Sequence, residues 1–178
     1  MWCSDVTPVS SDASRRTLLR AMSALAVSAM SGCGFELRRP QTLNFRTIQL
    51  TGFRSNSFFE KELRRNIAQT PSTTVVDSAA QAEVILQAQS DQRAKKVVAS
   101  SSAGQVRQFN LRAEFTFAVR TPAGKVMIPT AELALERDMS YTESTALAKE
   151  SEEDLIFREL QKELVLQVMR RLAALPSP

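Results

Sequence analysis

Gln105-Val106-Arg107-Gln108-Phe109-Asn110-Leu111-Arg112-Ala113-Glu114-Phe115-Thr116-Phe117-Ala118-Val119-Arg120 alternates between apolar and polar residues over most of its length. Phe109, Leu111, Ala113, Phe115, Phe117 and Val119 share one face of an extended chain. Asn110, Arg112, Glu114, Thr116 and Arg120 share the other, with Ala118 the exception. Side chains of a strand point alternately to its two faces, so this pattern describes a strand with one face buried and one wet. Such a strand needs an apolar layer on one side only.

The flanking residues extend the pattern in both directions. Thr121-Pro122-Ala123-Gly124 reads as a turn. A second strand follows from about Lys125 to Thr142, with Ala131, Leu133, Leu135, Met139 and Tyr141 in register. Proline cannot donate to a ladder, so Pro129 marks an edge or a bulge. Upstream, Glu83 to about Val98 opens with Val84, Ile85 and Leu86 and reads as a third strand. Short turns between the runs predict antiparallel hairpins. The strands run to about 16 residues against a usual five or six, so they are expected to project as a ribbon. Its tip, Lys95 to Gly104, is polar and small, with adjacent lysines Lys95 and Lys96. Two readings stand for it: a solvated loop, or a contact for an anionic ligand or a barrel wall.

Helices are expected before and after these strands. Thr42 to Thr51 reads as a first strand closed by Gly52. Ser57-Phe58-Phe59-Glu60 has the capping-box spacing, and Phe59, Leu63 and Ile67 then share one helical face. Pro71 closes this helix. At the other end, Ser151-Glu152-Glu153-Asp154 reads as a cap with acidic first-turn residues. Phe157, Leu160, Leu164, Val168, Leu172 and Leu175 form a stripe at helical spacing, suited to packing on the sheet or to a coiled-coil seam. Strand, helix, three strands, helix gives an α+β two-layer sandwich, with two helices on a four-stranded, mostly antiparallel sheet.

The first 41 residues carry a different message. Arg15-Arg16-Thr17-Leu18-Leu19-Arg20 precedes an uncharged stretch, Ala21 to Gly32, which ends in Ser31-Gly32-Cys33. Basic residues, an apolar run, small residues and cysteine is the order of a lipoprotein export signal. Cleavage before Cys33 would leave that thiol to receive a diacylglycerol and the new amino group to be acylated. An ordinary secretory peptide with a chance cysteine, or a buried N-terminal helix, is the competing reading. The paired arginines suit twin-arginine export and the general secretion route alike. The twelve residues of this uncharged stretch fall short of the roughly 20 that a spanning helix needs. The expected product is anchored to a membrane without crossing it. Gly34 rather than aspartate after the cysteine implies delivery to the outer membrane. The expected organisation is a removed signal at 1–32, a lipidated linker at 33–41, one α+β domain at 42–175 and a short tail at 176–178.

Processing removes Arg15, Arg16 and Arg20 together with Asp5 and Asp12, so the formal charge falls from +4 to +3. This mild excess suits an anionic surface without demanding one. Cys3 leaves with the signal and Cys33 is consumed by lipid, so no disulfide forms within one mature chain. The sequence has no histidine. Metal clusters, Ser-His-Asp triads and Cys-His dyads are therefore excluded by inventory. No glycine-rich phosphate loop is present. No enzymatic activity, cofactor, metal or nucleic-acid partner is expected.

Cys33-Gly34-Phe35-Glu36-Leu37-Arg38, directly after such a signal, resembles the Cys-Gly-aromatic-x-Leu-Arg start of the LPS-assembly lipoproteins, the LptE family. Ala146-Leu147-Ala148-Lys149-Glu150, leading to Glu153-Asp154-Leu155-Ile156 and a long last helix, is similar to that family's final third. The resemblance spans Cys33 to Leu175. It implies an outer-membrane lipoprotein that faces the periplasm, plugs the large assembly barrel LptD, helps it fold and binds lipopolysaccharide. A basic position of the family falls on Lys149. Another, an arginine ahead of an asparagine-glycine at the ribbon tip, is unmatched, because Ser102-Ala103-Gly104 stands there. Lys95, Lys96 or Arg107 would supply charge nearby. Apart from the resemblance, a generic outer-membrane adaptor in another envelope complex is the alternative.

Overall fold

A computed structural model describes residues 42–142, 144 and 146–178. The export signal, the linker and Cys33 lie outside the described residues. The elements run β1 (Thr47–Thr51), α1 (Phe58–Ala68), β2 (Thr74–Val76), a 3-10 turn (Ala79–Gln81), β3 (Val84–Ser100), β4 (Val106–Arg120), β5 (Val126–Ser140) and α2 (Ala146–Ala173). The five strands form one sheet in the order β2-β1-β3-β4-β5. β1 is parallel to both β2 and β3, while β3, β4 and β5 form antiparallel hairpins.

The α+β layering is as expected, but the sheet is mixed and five-stranded rather than four-stranded and mostly antiparallel. The additional strand, β2, has only three residues and pairs through Thr47↔Thr74, Ile48↔Val75 and Gln49↔Val76. Three residues are too few to establish a period-two pattern. β1 is also shorter than predicted. Leu43 and Phe45 are buried ahead of it without joining the ladder.

Each helix follows its apolar stripe. The Ser57 side chain accepts a hydrogen bond from the Glu60 amide at 3.3 Å and caps α1. Half of the capping box forms, because the Glu60 carboxylate turns to Arg64 instead. Phe59, Leu63 and Ile67 are fully buried. α2 begins at Ala146, five residues before the expected cap, so Ser151 lies inside the helix. Ala146, Leu147, Ala148, Lys149 and Glu150 are all good helix formers, which lets the helix extend past the capping signal. Its predicted stripe is buried from Phe157 to Leu175. From Ala146 to Ile156 no described side chain is fully buried.

β4 faces the helices with Leu111, Ala113, Phe115, Phe117 and Val119, as its alternation requires. β5 is one of the two edge strands, and its ladder shifts where Ile128 and Ala131 flank Pro129, so the proline marks both an edge and a bulge. β3 is less regular. Val84, Leu86 and Ala88 are buried, and then Gln89 bulges out between the Ala88↔Phe117 and Ser90↔Thr116 pairs. One extra residue exchanges the faces of everything beyond it. Asp91, Arg93, Lys95 and Val97 therefore stand opposite Phe115, Ala113, Leu111 and Phe109, on the helix side.

This slip brings polar groups beneath α2, where they are satisfied. The Gln161 amide, 2% exposed, donates to Asp91 at 3.2 Å and accepts from Arg93. Ser57 donates to the other Asp91 oxygen at 3.3 Å. The Arg93 guanidinium also lies 5.4 Å from the centre of the Phe157 ring.

Gly52 fixes the entry to this region. Its φ is +80°, and a Cβ there would come within 2.1 Å of the Ala88 carbonyl oxygen, one residue before the bulge. Backbone cannot yield as a flexible side chain would. Gly52→Ala should therefore destabilise the fold by at least about 2 kcal/mol, through left-handed strain and overpacking together. An unchanged urea midpoint would show that this approach is looser than the geometry requires.

Candidate functional site

The basic residues that the sequence singled out do not share one location. Lys95, on the helix side of β3, ion-pairs with Glu153 of α2. Its ammonium sits 4.2 Å from the centre of the Phe109 ring, within cation–π range. Phe109 meets Tyr141 edge-on, with centroids 5.1 Å apart and planes at 76°. Lys149, in the first turn of α2, donates to Glu152 at 2.7 Å and to the Ser140 hydroxyl at 3.3 Å. Lys95, Phe109, Met139, Tyr141, Lys149 and Glu153 together line a cavity of about 90 Å³ between the ribbon and the first turns of α2.

Lys96 is elsewhere. It pairs with Asn110 on the uncovered face of the sheet, where Asn110 donates to Asp138 at 2.9 Å. Arg107 is exposed on β4, and its guanidinium bonds the Gln105 side chain at 3.3 Å. Its carbonyl accepts the Tyr141 amide at 2.8 Å, which ties the end of β5 to β4. The structure thus brings Lys95 and Lys149 to one cavity, leaves Lys96 on the opposite face and places Arg107 beyond it toward the tip.

Each lysine at the cavity already holds a carboxylate. Glu153 takes Lys95, and Glu152 takes Lys149, so the like-charged helix start is neutralised locally. Glu150, Glu152 and Glu153 all lie within four residues of Lys149 in sequence. The fold assigns Glu153 to the neighbouring strand instead. Such a site can exchange a carboxylate for a phosphate oxygen, which makes the same charge-assisted hydrogen bond to an ammonium. Phe109, Tyr141 and Met139 add an apolar wall. Tyr141 and Phe109 were legible as strand residues, but their role beside two lysines depends on the β3 bulge.

The uncovered face carries a second charged cluster, around Arg112. Its guanidinium meets Glu136, Glu114 at 3.2 Å and Glu132 at 3.5 Å. Hydrogen bonds that it donates to Glu136 and Glu114 raise its pKa above the ordinary arginine value. This cation is fully occupied and fixes a strip of carboxylates across β4 and β5.

The sequence profile of the family described as "LptE: Lipopolysaccharide-assembly" matches residues 45–172. The chain belongs to the LptE family. The matched span contains Lys95, Lys96, Arg107 and Lys149 and begins after Cys33. The fold is also shared with solved structures. An uncharacterized lipoprotein B from Nitrosomonas europaea is 27% identical, with a TM-score of 0.68 over 79% of this chain and 91% of its own. The rare lipoprotein B from Shewanella oneidensis is 19% identical, with a TM-score of 0.64 over 72% of this chain and 95% of its own. A minor lipoprotein from Acinetobacter baumannii is 17% identical, with a TM-score of 0.61 over 74% and 95%. No curated protein matches the chain in sequence. These likenesses establish the LptE architecture, two helices on one face of a mixed sheet with a long antiparallel ribbon.

Proposed function

We propose that this LptE-family chain is a lipid-anchored protein of the outer membrane, facing the periplasm. In this role it plugs and helps assemble the LPS-assembly β-barrel LptD, and it binds lipopolysaccharide on the way to the outer leaflet. It acts by binding, not by catalysis. The observation that carries the lipopolysaccharide reading is the convergence of Lys95 and Lys149, from different elements, on one aromatic-walled cavity. Lipopolysaccharide presents phosphates beside acyl chains, and ammonium groups beside Phe109 and Tyr141 match both. The cavity has room for a phosphate rather than for the whole lipid, so recognition is of one anionic group at the edge of α2.

Lys149→Asp tests this assignment. An acidic residue in the first turn favours the helix dipole, so the variant should fold with an unchanged melting temperature. Lipopolysaccharide binding by the purified protein should weaken roughly tenfold or more, as loss of a charged hydrogen bond requires. Glu153→Gln should do the opposite, because it frees Lys95. Association with the barrel should survive both changes, since a broad interface loses little with one rim charge. Intact lipopolysaccharide binding by folded Lys149→Asp would move the site elsewhere. Loss of barrel co-purification would instead assign Lys149 to the protein interface.

A further inference from the structure

The opposite end of the domain holds a larger groove, of about 890 Å³, whose lining includes Leu43, Phe45, Arg46, Pro122, Lys125 and Pro178. Three separate segments build it. Asn44 donates to the Leu175 carbonyl at 2.7 Å, joining the entry segment to the end of α2. The Arg46 amide donates to the Glu83 carboxylate at 2.7 Å, which ties that acidic side chain to the groove wall. The Thr121 amide donates to Lys125 at 2.9 Å and closes the β4–β5 turn.

The rim of this groove is basic. Arg46 and Lys125, which line it, are both exposed. Neither forms an ion pair among the described residues, whereas Lys95, Lys149 and Arg112 at the other sites are all paired. The groove itself is mostly apolar, with Pro122, Ala123 and Pro178 on its walls. Free cations around an apolar slot complement an anionic headgroup attached to acyl chains.

Chain length says which lipid this end meets. Nine peptide steps separate Cys33 from Thr42 and span at most about 32 Å. β4 runs from Val106 near the ribbon tip to Arg120 beside the groove, about 50 Å at the usual strand rise. With the anchor in the membrane, the groove end is therefore held close to the leaflet that the anchor enters.

We infer that the groove bounded by Arg46 and Lys125 binds an anionic glycerophospholipid of that leaflet and docks the base of the domain on the membrane surface. The inference rests on the lipid anchor of the proposed function. It is distinct from the Lys95–Lys149 cavity in position, size and ligand.

The test uses the lipidated full-length mature protein in nanodiscs containing phosphatidylglycerol with a photoreactive acyl chain. Crosslinks should concentrate in peptides that contain Leu43–Arg46 and Thr121–Lys125. They should fall on the order of tenfold in Arg46→Glu/Lys125→Glu, because basic residues near an anionic surface each contribute appreciably. The same reactive chain on phosphatidylcholine should label these peptides weakly. Equal labelling from the two lipids, or no effect of the double variant, overturns the inference. Displacement by added lipopolysaccharide also overturns it, because the groove would then belong to the transport path. Intact mass reports the anchor separately. Should Cys33 carry no lipid, the proposed anchor fails, and co-sedimentation of the same protein with phosphatidylglycerol vesicles decides the groove by itself.

Discussion

Phe115→Ala should lower the melting temperature by roughly 10–15 °C. Phe115 is fully buried at the centre of an aromatic stack. Its ring centroid lies 3.9 Å from Phe59, 5.5 Å from Phe117 and 5.9 Å from Phe53, with interplanar angles between 17° and 20°. The stack joins β4, the start of α1 and the entry loop at Phe53. Truncation would leave a cavity bounded by three rings, which cannot collapse without moving the strand or the helix. A buried phenylalanine replaced by alanine costs about 3–5 kcal/mol. A domain of this size loses about 2–4 °C for each kcal/mol. Thr116→Ala, on the uncovered face one residue away, should change the melt little. Thermal denaturation followed by circular dichroism compares the two. Similar melts for both variants would show that the β4 register is wrong.

β4 was readable because its alternation is unbroken and each face has one kind of neighbour. The apolar side meets helices and the polar side meets solvent, so residue type alone fixes orientation. The same holds for Phe59, Leu63 and Ile67 and for the stripe from Phe157 to Leu175. β3 was not readable in this way. Its first residues, Val84, Ile85 and Leu86, are buried on both faces, which hides the period. The Gln89 bulge then reverses the facing of Asp91, Arg93 and Lys95, and no local signal marks it. The candidate site inherits this limit. Lys149 was reached through its motif, and Lys95 and Lys96 were named together as adjacent lysines. Only the register separates Lys95, beside Phe109, from Lys96 on the far face. β2 was invisible because its three residues derive their order from β1 rather than from any pattern of their own.

α2 shows how one helix serves two purposes. Its second half, from Phe157, is held by apolar burial that extends the core. Its first half is held by Lys95–Glu153 and the Lys149 contacts, which are polar and largely accessible. Exposed ion pairs contribute little each and weaken with salt, so the first half is the more easily lifted part. That weakness lies where the proposed site is, and a ligand phosphate can enter there by replacing a carboxylate without disturbing the core.

Cys33→Ala should move the protein out of the outer-membrane fraction. No helix among the described residues is long and apolar enough to cross a membrane. The apolar run from Ala21 to Gly32 is too short to span if it stays uncleaved. In the proposed role, attachment rests on acyl chains at Cys33. A single chain gives only marginal, reversible binding, whereas more than one gives stable anchoring, so removing the acceptor thiol would remove the strongest hold on the bilayer itself. The groove inferred to dock on the membrane, with Arg46 and Lys125, would offer a second, weaker hold, but charge attraction is screened within about 10 Å at 0.1 M salt. A wash at high ionic strength separates the two contributions. The wild-type protein should stay in the membrane pellet through that wash, while Cys33→Ala should be found in the supernatant or as an uncleaved precursor. Retention of the variant in the pellet would show that the folded domain, through its barrel partner or its basic end, holds the membrane without lipid. A free Cys33 thiol in the mature wild-type protein, seen by mass spectrometry, would show that the cysteine is no anchor at all.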